Sequence, residues 1–241
     1  MLQLLQMTDK WTEYLESGGQ IDTIYSHFEK AFDKVPRRRL ISRLHTYGLH
    51  DTIVNWIRDF LAARKYRVKV NISYSGWNDV SSGIPQGSVL GLLLFLIYIN
   101  DLIDCCGAYS EVYVFADDAK FYRHILSVDD NKTLQYALDT LQDWSQKWLL
   151  KLNIEKCQVV SFGRRVDTSY NYTICDCTNN CVASLERGSH VLDLVVCFDE
   201  KLSIKEHIPA KINQAYMMLG IIKHNFRYLT IPITNIYSSI Q

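Results

Sequence analysis

With 241 residues, 48% of them hydrophobic and 22% charged, the chain can bury a sizeable core as one large globular domain or two small ones. Lys plus Arg and Asp plus Glu both total 26, which excludes a general electrostatic argument for a polyanionic partner. Only local clusters remain for that role: Arg37-Arg38-Arg39, the group Arg64, Lys65, Arg67 and Lys69, and Arg164-Arg165, each of which is otherwise a solvated face.

Residues 2–16 carry Leu2, Leu5, Trp11 and Leu15 near helical spacing and stop at Gly18-Gly19, so a helix is predicted there. No basic region precedes an apolar core, so no signal peptide is read. A strand over 21–28 follows. Pro36 and the arginine triplet then lead into a helix over 40–47 closed by Gly48. A second amphipathic helix, 51–63, puts Ile53, Ile57, Phe60 and Leu61 on one side. Short strands at 66–70 and 77–81 flank a turn containing Ser75-Gly76. The turn-rich stretch 81–88 runs into the most apolar part of the chain, 89–103, which reads as a buried helix. Its longest unbroken apolar run, 89–99, falls short of the roughly 20 residues that span a bilayer. The expectation is a soluble intracellular protein of nucleus or cytoplasm, with no membrane contact.

Farther on, Ser127 and Asp130 offer caps to a long helix in which Leu134, Leu138, Leu141, Trp144 and Trp148 recur three and four residues apart. Strands are predicted at 158–162, 172–175 and 191–198, and Ser203 with Glu206 forms a capping-box pair for a last helix to about Tyr228. Seven cysteines at irregular spacing fit a reducing compartment better than a disulfide framework. Cys175, Cys177 and Cys181 with His190 lack the paired spacings of a zinc site, and Asn179-Asn180 reads as a hairpin turn instead. The element order is α+β, an antiparallel sheet with helices against one face.

Chemistry concentrates at residues 112–119, where a strand-like Val-Tyr-Val-Phe run ends on Asp117-Asp118. Two adjacent acids there are either the tip of a hairpin or a carboxylate cluster that holds Mg²⁺ against phosphates. Four further segments stand in one order with this pair: 27–33 (His-Phe-Glu-Lys-Ala-Phe-Asp), 83–91 (Gly-Ile-Pro-Gln-Gly-Ser-Val-Leu-Gly), 94–102, and Trp148 through Leu152-Asn153 to Lys156-Cys157. Together they closely resemble the palm of reverse transcriptases, specifically those of non-LTR (LINE-like) retrotransposons. The likeness continues through 193–203 and His207-Ile208, which look like the palm's last hairpin and the entry to a thumb.

The resemblance implies residues 1–200 as a palm and 201–241 as the start of a helical thumb or connection. It implies two-metal nucleotidyl transfer with two Mg²⁺ ions, Mn²⁺ being an alternative, on an RNA template, a DNA primer and a deoxynucleoside triphosphate, with no obligate protein partner. Asp117 would be the metal ligand and Asp118 its catalytic neighbour. Phe32 takes the place of the aromatic that excludes a ribose 2′-hydroxyl, or else simply packs in the core. Gly83, Pro85, Gln86 and Gly87 match the loop under template and nucleotide, where Gln86 is otherwise a turn residue. Lys156 matches a lysine near the leaving pyrophosphate, or is an exposed lysine at a strand start.

One departure changes the chemistry. His27 stands where the family has a metal-bridging aspartate, and imidazole is a poor substitute for the oxygen ligands Mg²⁺ requires. Losing that ligand is expected to lower the rate by roughly three orders of magnitude or more. Glu29, on the face of His27 by strand alternation, is the one nearby replacement, roughly 6.6 Å further along. Leu92, Ala119 and Val195 replace the family's usual proline, threonine and glycine. With 26 residues before His27, a fingers subdomain and an endonuclease are expected to be missing, as in a truncated copy. The expectation is therefore an impaired reverse transcriptase, the alternative being a non-catalytic scaffold that binds nucleic acid or protein.

Overall fold

The computed structural model describes residues 2–176 and 181–225. They form two compact units divided between Ser189 and His190. In the first unit, helix α1 (Leu2–Glu16) leads to strand β1 (Gln20–His27), then α2 (Ala31–Lys34), α3 (Arg37–Thr46) and α4 (Asp51–Leu61). Four two-residue strands follow: β2 (Lys65–Tyr66), β3 (Lys69–Val70), β4 (Ser73–Tyr74) and β5 (Asn78–Asp79). Helices α5 (Val89–Ile99) and α6 (Asp101–Cys106) precede β6 (Glu111–Phe115), β7 (Asp118–Ile125) and α7 (Val128–Trp148). A single 3₁₀ turn (Ile154–Lys156), then β8 (Gln158–Phe162), β9 (Thr173–Asp176), β10 (Cys181–Ser184) and β11 (Glu186–Gly188) complete the unit.

The main sheet has the order β11-β8-β1-β7-β6, with β11 parallel to β8 and every other pair antiparallel. Its middle strand β1 is buried on both faces, which explains why it shows no polar alternation. On one face Ile24 lies opposite Phe121 and Val159, and these join a core with Leu134, Leu138 and Trp144 of α7 and Leu94 and Phe95 of α5. On the other, Thr23 lies opposite Tyr122 and Val160, and Trp11 of α1 packs edge-on to Tyr122 at 5.3 Å and against Phe162 at 4.7 Å. The α+β class stands, but helices cover both faces at the sheet's centre rather than one. Asp22, fully buried in β1, is satisfied by Gln20 Nε2 at 2.8 Å, Tyr172 OH at 2.8 Å and Asn131 Nδ2 at 3.2 Å.

Helices α3, α6 and α7 are pinned by one cation. The Arg43 guanidinium lies 3.8 Å from the centre of the Trp148 ring and pairs with the Asp101 carboxylate, which also accepts from Trp144 Nε1 at 2.8 Å. Removing either partner of such a largely buried pair costs about 3–5 kcal/mol.

Several elements differ from the sequence-based expectation. Helix α3 starts at Arg37, because Pro36 suits the position before a first turn, so the arginine triplet is helical. In α4 the buried face is Val54, Ile57 and Leu61, while Ile53 is exposed. The hairpin turn lies at Asn71-Ile72, where Asn71 adopts a positive φ of 53°, and not at Ser75-Gly76. The apolar stretch 89–103 breaks at Asn100 into two helices, and Val89, Leu92, Leu93, Leu96 and Ile103 remain exposed. By length and composition alone, Val89–Cys106 would pass as a membrane span. Its inward face, with Leu94, Phe95, Tyr98, Ile99, Leu102 and Cys106, is ordinary core. Strand β11 was not anticipated. Cys177, the Asn179-Asn180 turn and the end of the last helix at Tyr228 lie outside the described residues.

The second unit holds the hairpin β12 (His190–Asp193) and β13 (Val196–Asp199), where the residue pattern predicts one continuous strand and the resemblance a hairpin, and helix α8 (His207–Asn225). Ser203 does not cap α8. Its backbone N–H donates to Asp199 Oδ1 at 2.7 Å and its hydroxyl accepts from Lys205 N–H at 3.2 Å, so it shapes the turn before the helix.

Candidate active site

The acidic hairpin has a two-residue turn, Ala116-Asp117, that leaves Phe115 paired with Asp118. Asp118 is therefore the first residue of β7 and lies directly opposite His27, the last residue of β1. Cross-strand partners project to the same face. Accordingly His27 Nδ1 meets Asp118 Oδ1 at 2.6 Å, with the two side chains 37% and 55% exposed. Asp117, the acid the resemblance implies as metal ligand, sits at the tip of the hairpin, half-buried.

The segment after α7 braces this end of β1. Asn153 N–H donates to His27 C=O at 2.8 Å, Phe28 bridges Leu152, and Glu29 N–H donates to Lys151 C=O at 2.7 Å. The Glu29 carboxylate pairs with lysine, at 2.9 Å from Lys34 Nζ and 3.9 Å from Lys151 Nζ. The hydrogen bond from Lys34 holds the Glu29 carboxyl below its ordinary range.

The glycine-rich loop is stitched to the residues that follow β1. Ile84 N–H donates to Phe32 C=O at 2.8 Å, Gly83 N–H to Val35 C=O at 2.9 Å, and Ser82 Oγ to Asp33 C=O at 2.9 Å. Gly83 has a φ of +83°, and a Cβ there would lie 2.5 Å from Asp33 O, so only glycine fits. Phe32 stacks on Phe95 with centroids 4.5 Å apart and is half-buried, so its ring packs on the core at the rim of the loop. Pro85 is half-buried, Gln86 and Gly87 form an exposed turn, and Lys156 is exposed in the 3₁₀ turn before β8. Gly91 matters in a way its sequence position alone did not reveal: a Cβ would lie 2.3 Å from Pro85 O, where the loop folds onto the start of α5. An isolated glycine in an apolar helix was the available signal.

Beside the loop lies a cleft of about 670 Å³ lined by Asp33, Arg37, Arg64, Lys65 and Gly83 through Gln86, among others. Burial, and then the neighbouring charge of Arg64, lower the Arg37 pKa. One terminal nitrogen of Arg37 is buried without a hydrogen-bond partner among the described residues.

The donor set does not fit a pair of Mg²⁺ ions. Position 27 supplies an imidazole where a hard cation needs oxygen, and the carboxylate across from it is already hydrogen-bonded by that ring. Among the described residues, no three His, Cys, Asp or Glu side chains converge to hold a metal.

Comparison with known proteins agrees with this arrangement at the level of the fold. The family profile described as "Reverse transcriptase (RNA-dependent DNA polymerase)" matches residues 22–233. The chain is 26% identical over 238 residues to the "Probable RNA-directed DNA polymerase from transposon BS" of Drosophila melanogaster, covering 90% of this chain and 24% of that protein. It is 27% identical over 213 residues to the "RNA-directed DNA polymerase from mobile element jockey" of Drosophila funebris, covering 86% and 22%. The chain thus spans about a quarter of the length of these curated relatives. A telomerase from Candida tropicalis, solved with a TWJ fragment of telomeric RNA, shares the fold with a TM-score of 0.53 at 10% identity, over 76% of this chain and 33% of that one.

Proposed function

The chain belongs to the reverse transcriptase (RNA-dependent DNA polymerase) family, in a domain of LINE-like retrotransposon origin, and on that premise we propose that it is a polymerase palm impaired in nucleotidyl transfer. The single observation that carries the impairment is the 2.6 Å contact between His27 and Asp118. The family depends on divalent metal. Phosphoryl transfer leaves the protein little covalent chemistry, so catalysis rests on positioning and on neutralising charge. An imidazole hydrogen-bonded to the acidic hairpin contributes neither an oxygen ligand nor a fixed negative charge.

In this reading Asp117 and Asp118 are the acids of the site. Gly83, Pro85, Gln86 and Gly87 lie under an RNA template and incoming deoxynucleoside triphosphate, Phe32 borders the sugar, and Lys156 stands toward the pyrophosphate. A DNA primer is the second strand. Residues 1–200 are the palm and 201–241 lead into a thumb. The loop's stitching to residues 32–35 supports placing Phe32, Gly83 and Gln86 around one substrate.

The test is primer extension on poly(rA)·oligo(dT) with Mg²⁺ and with Mn²⁺. Extension at least a thousand-fold slower than the roughly 1–1000 s⁻¹ typical of enzymes is expected. Turnover within that ordinary range would refute the impaired palm.

A further inference from the structure

The main sheet ends at β6, which has β7 on one side and no strand on the other among the described residues. Its sequence, Glu-Val-Tyr-Val-Phe, is rich in β-branched and aromatic residues and lacks the proline, lysine or bulge that commonly guards an exposed edge. Its one charge, Glu111, is engaged within the chain, pairing with Lys10 Nζ at 2.5 Å and accepting from Tyr14 OH at 2.9 Å and Tyr122 OH at 2.8 Å. The two-residue turn makes Phe115 and Asp118 a hydrogen-bonded pair. The antiparallel ladder then alternates, so Val112 and Val114 direct their N–H and C=O groups away from β7, toward the open edge.

We propose that this edge is the interface of a two-fold dimer, in which the β6 strands of two copies pair antiparallel about Tyr113. Val112-Tyr113-Val114 reads the same in both directions, so a second copy meets like with like. With Tyr113 of each copy opposite Tyr113 of the other, Val112 of each lies opposite Val114 of the other. Those are the residues whose backbone groups point outward, and each such pair exchanges both N–H···O bonds. A slip of one residue would set outward-pointing groups against inward-pointing ones. Side chains agree on both faces. Val112 and Val114, packed partly on the core, form β-branched cross-strand pairs, and Tyr113, stacked on Tyr122 at 5.7 Å, continues an aromatic row across the axis. Phe115, 58% exposed, gains cover from the second copy's strand. A foreign extended peptide could supply the backbone bonds but has no reason to match this symmetry. Pairing occupies the β6 edge of both copies, so assembly through it stops at two. The inference needs neither metal nor nucleic acid and goes beyond the polymerase reading, on which it does not depend.

The experiment is sedimentation velocity on the full chain across a concentration series, in EDTA and without nucleic acid. The parent is expected to approach twice the 28.0 kDa of one chain as concentration rises. Val114→Pro, which removes an outward N–H and leaves the β6–β7 ladder bonds in place, is expected to raise the dimer dissociation constant roughly tenfold or more, with its urea midpoint close to the parent's. Cross-linking reads the register. Tyr113→Cys, whose Cα atoms would stand roughly 4.5 Å apart across a non-hydrogen-bonded pair, is expected to form a disulfide between copies on oxidation with diamide. Phe115→Cys, at an exposed position but roughly 14 Å from its own counterpart along the paired strands, is expected not to. Peptide mass mapping separates a link between the two introduced thiols from links through the native cysteines. A parent that stays monomeric at every concentration, assemblies larger than a dimer, a folded Val114→Pro chain that dimerises like the parent, or equal cross-linking at 113 and 115 would each overturn the proposal. If Val114→Pro fails to fold, the cross-link decides.

Discussion

At position 27 the difference between an oxygen and a nitrogen donor decides what the acidic hairpin can hold, and the turn length decides which acid it meets. Because side chains alternate, moving the turn by one residue exchanges Asp117 for Asp118 as the partner of His27. That the acids belong to a hairpin was legible from the apolar strand ahead of them. Which acid stands in register with His27 was not, since Ala116 enters the turn with a φ of 52°, a conformation its residue type does not announce. Gly83 was legible as a loop glycine, and its fit is testable. Gly83→Ala is expected to destabilise the fold by about 2–3 kcal/mol in urea unfolding, since a Cβ would meet backbone as well as strain φ. A loss under 0.5 kcal/mol would show that the loop shifts freely. At Val195 the reverse holds. This β-branched residue has a φ of 79° in the β12–β13 turn, where the resemblance expected glycine. Val195→Gly should relieve about 1 kcal/mol of strain and increase amide-exchange protection across 190–199, and unchanged exchange would contradict it.

Among the elements, those with a long single period were read closely. Strand β8 was anticipated at its observed bounds, and α7 shows the predicted leucine and tryptophan stripe. Strand β11, Glu-Arg-Gly, carries no apolar alternation and depends wholly on its parallel partner β8, so nothing local could reveal it. The run from 89 to 103 is buried on one side only, because hydrophobicity says that a helix has an apolar face, not that everything on it is covered. The cap of α7 was legible and its energetics follow. Asp130 accepts from Ser127 N–H at 3.0 Å, Leu126 N–H at 3.2 Å and Arg123 Nε at 3.1 Å. Partial burial pushes its carboxyl up, but these bonds together with the Ser127 hydroxyl outweigh it and the pKa is lowered. A carboxyl depressed in the folded state stabilises fully above its unfolded value of about 3.9 and loses that contribution as pH falls through the lower folded value. Asp130→Asn should therefore unfold about 1 kcal/mol more easily than the parent at pH 7, with the gap closing below about pH 4. A gap of equal size at pH 3 would show that charge is not its source.

For the molecule as a whole, a fold shared with polymerases and a chain of zero net charge are compatible because cations gather locally, with Arg37, Arg64 and Lys65 lining the cleft beside the glycine-rich loop. The palm's framework is intact. Its central strand is buried, its loop is stitched to the residues after β1, and its helices are tied together by Arg43, Asp101 and Trp148. In the proposed reading, the side chain at the exit of β1 carries the impairment. Isothermal titration of the parent chain and of His27→Asp with Mg²⁺ isolates that side chain without requiring turnover. No saturable Mg²⁺ binding is expected of the parent and a measurable site is expected in the variant, since aspartate returns an oxygen ligand and a negative charge opposite Asp118. Mg²⁺ binding by the parent equal to that of the variant, or no gain in the variant, would contradict it.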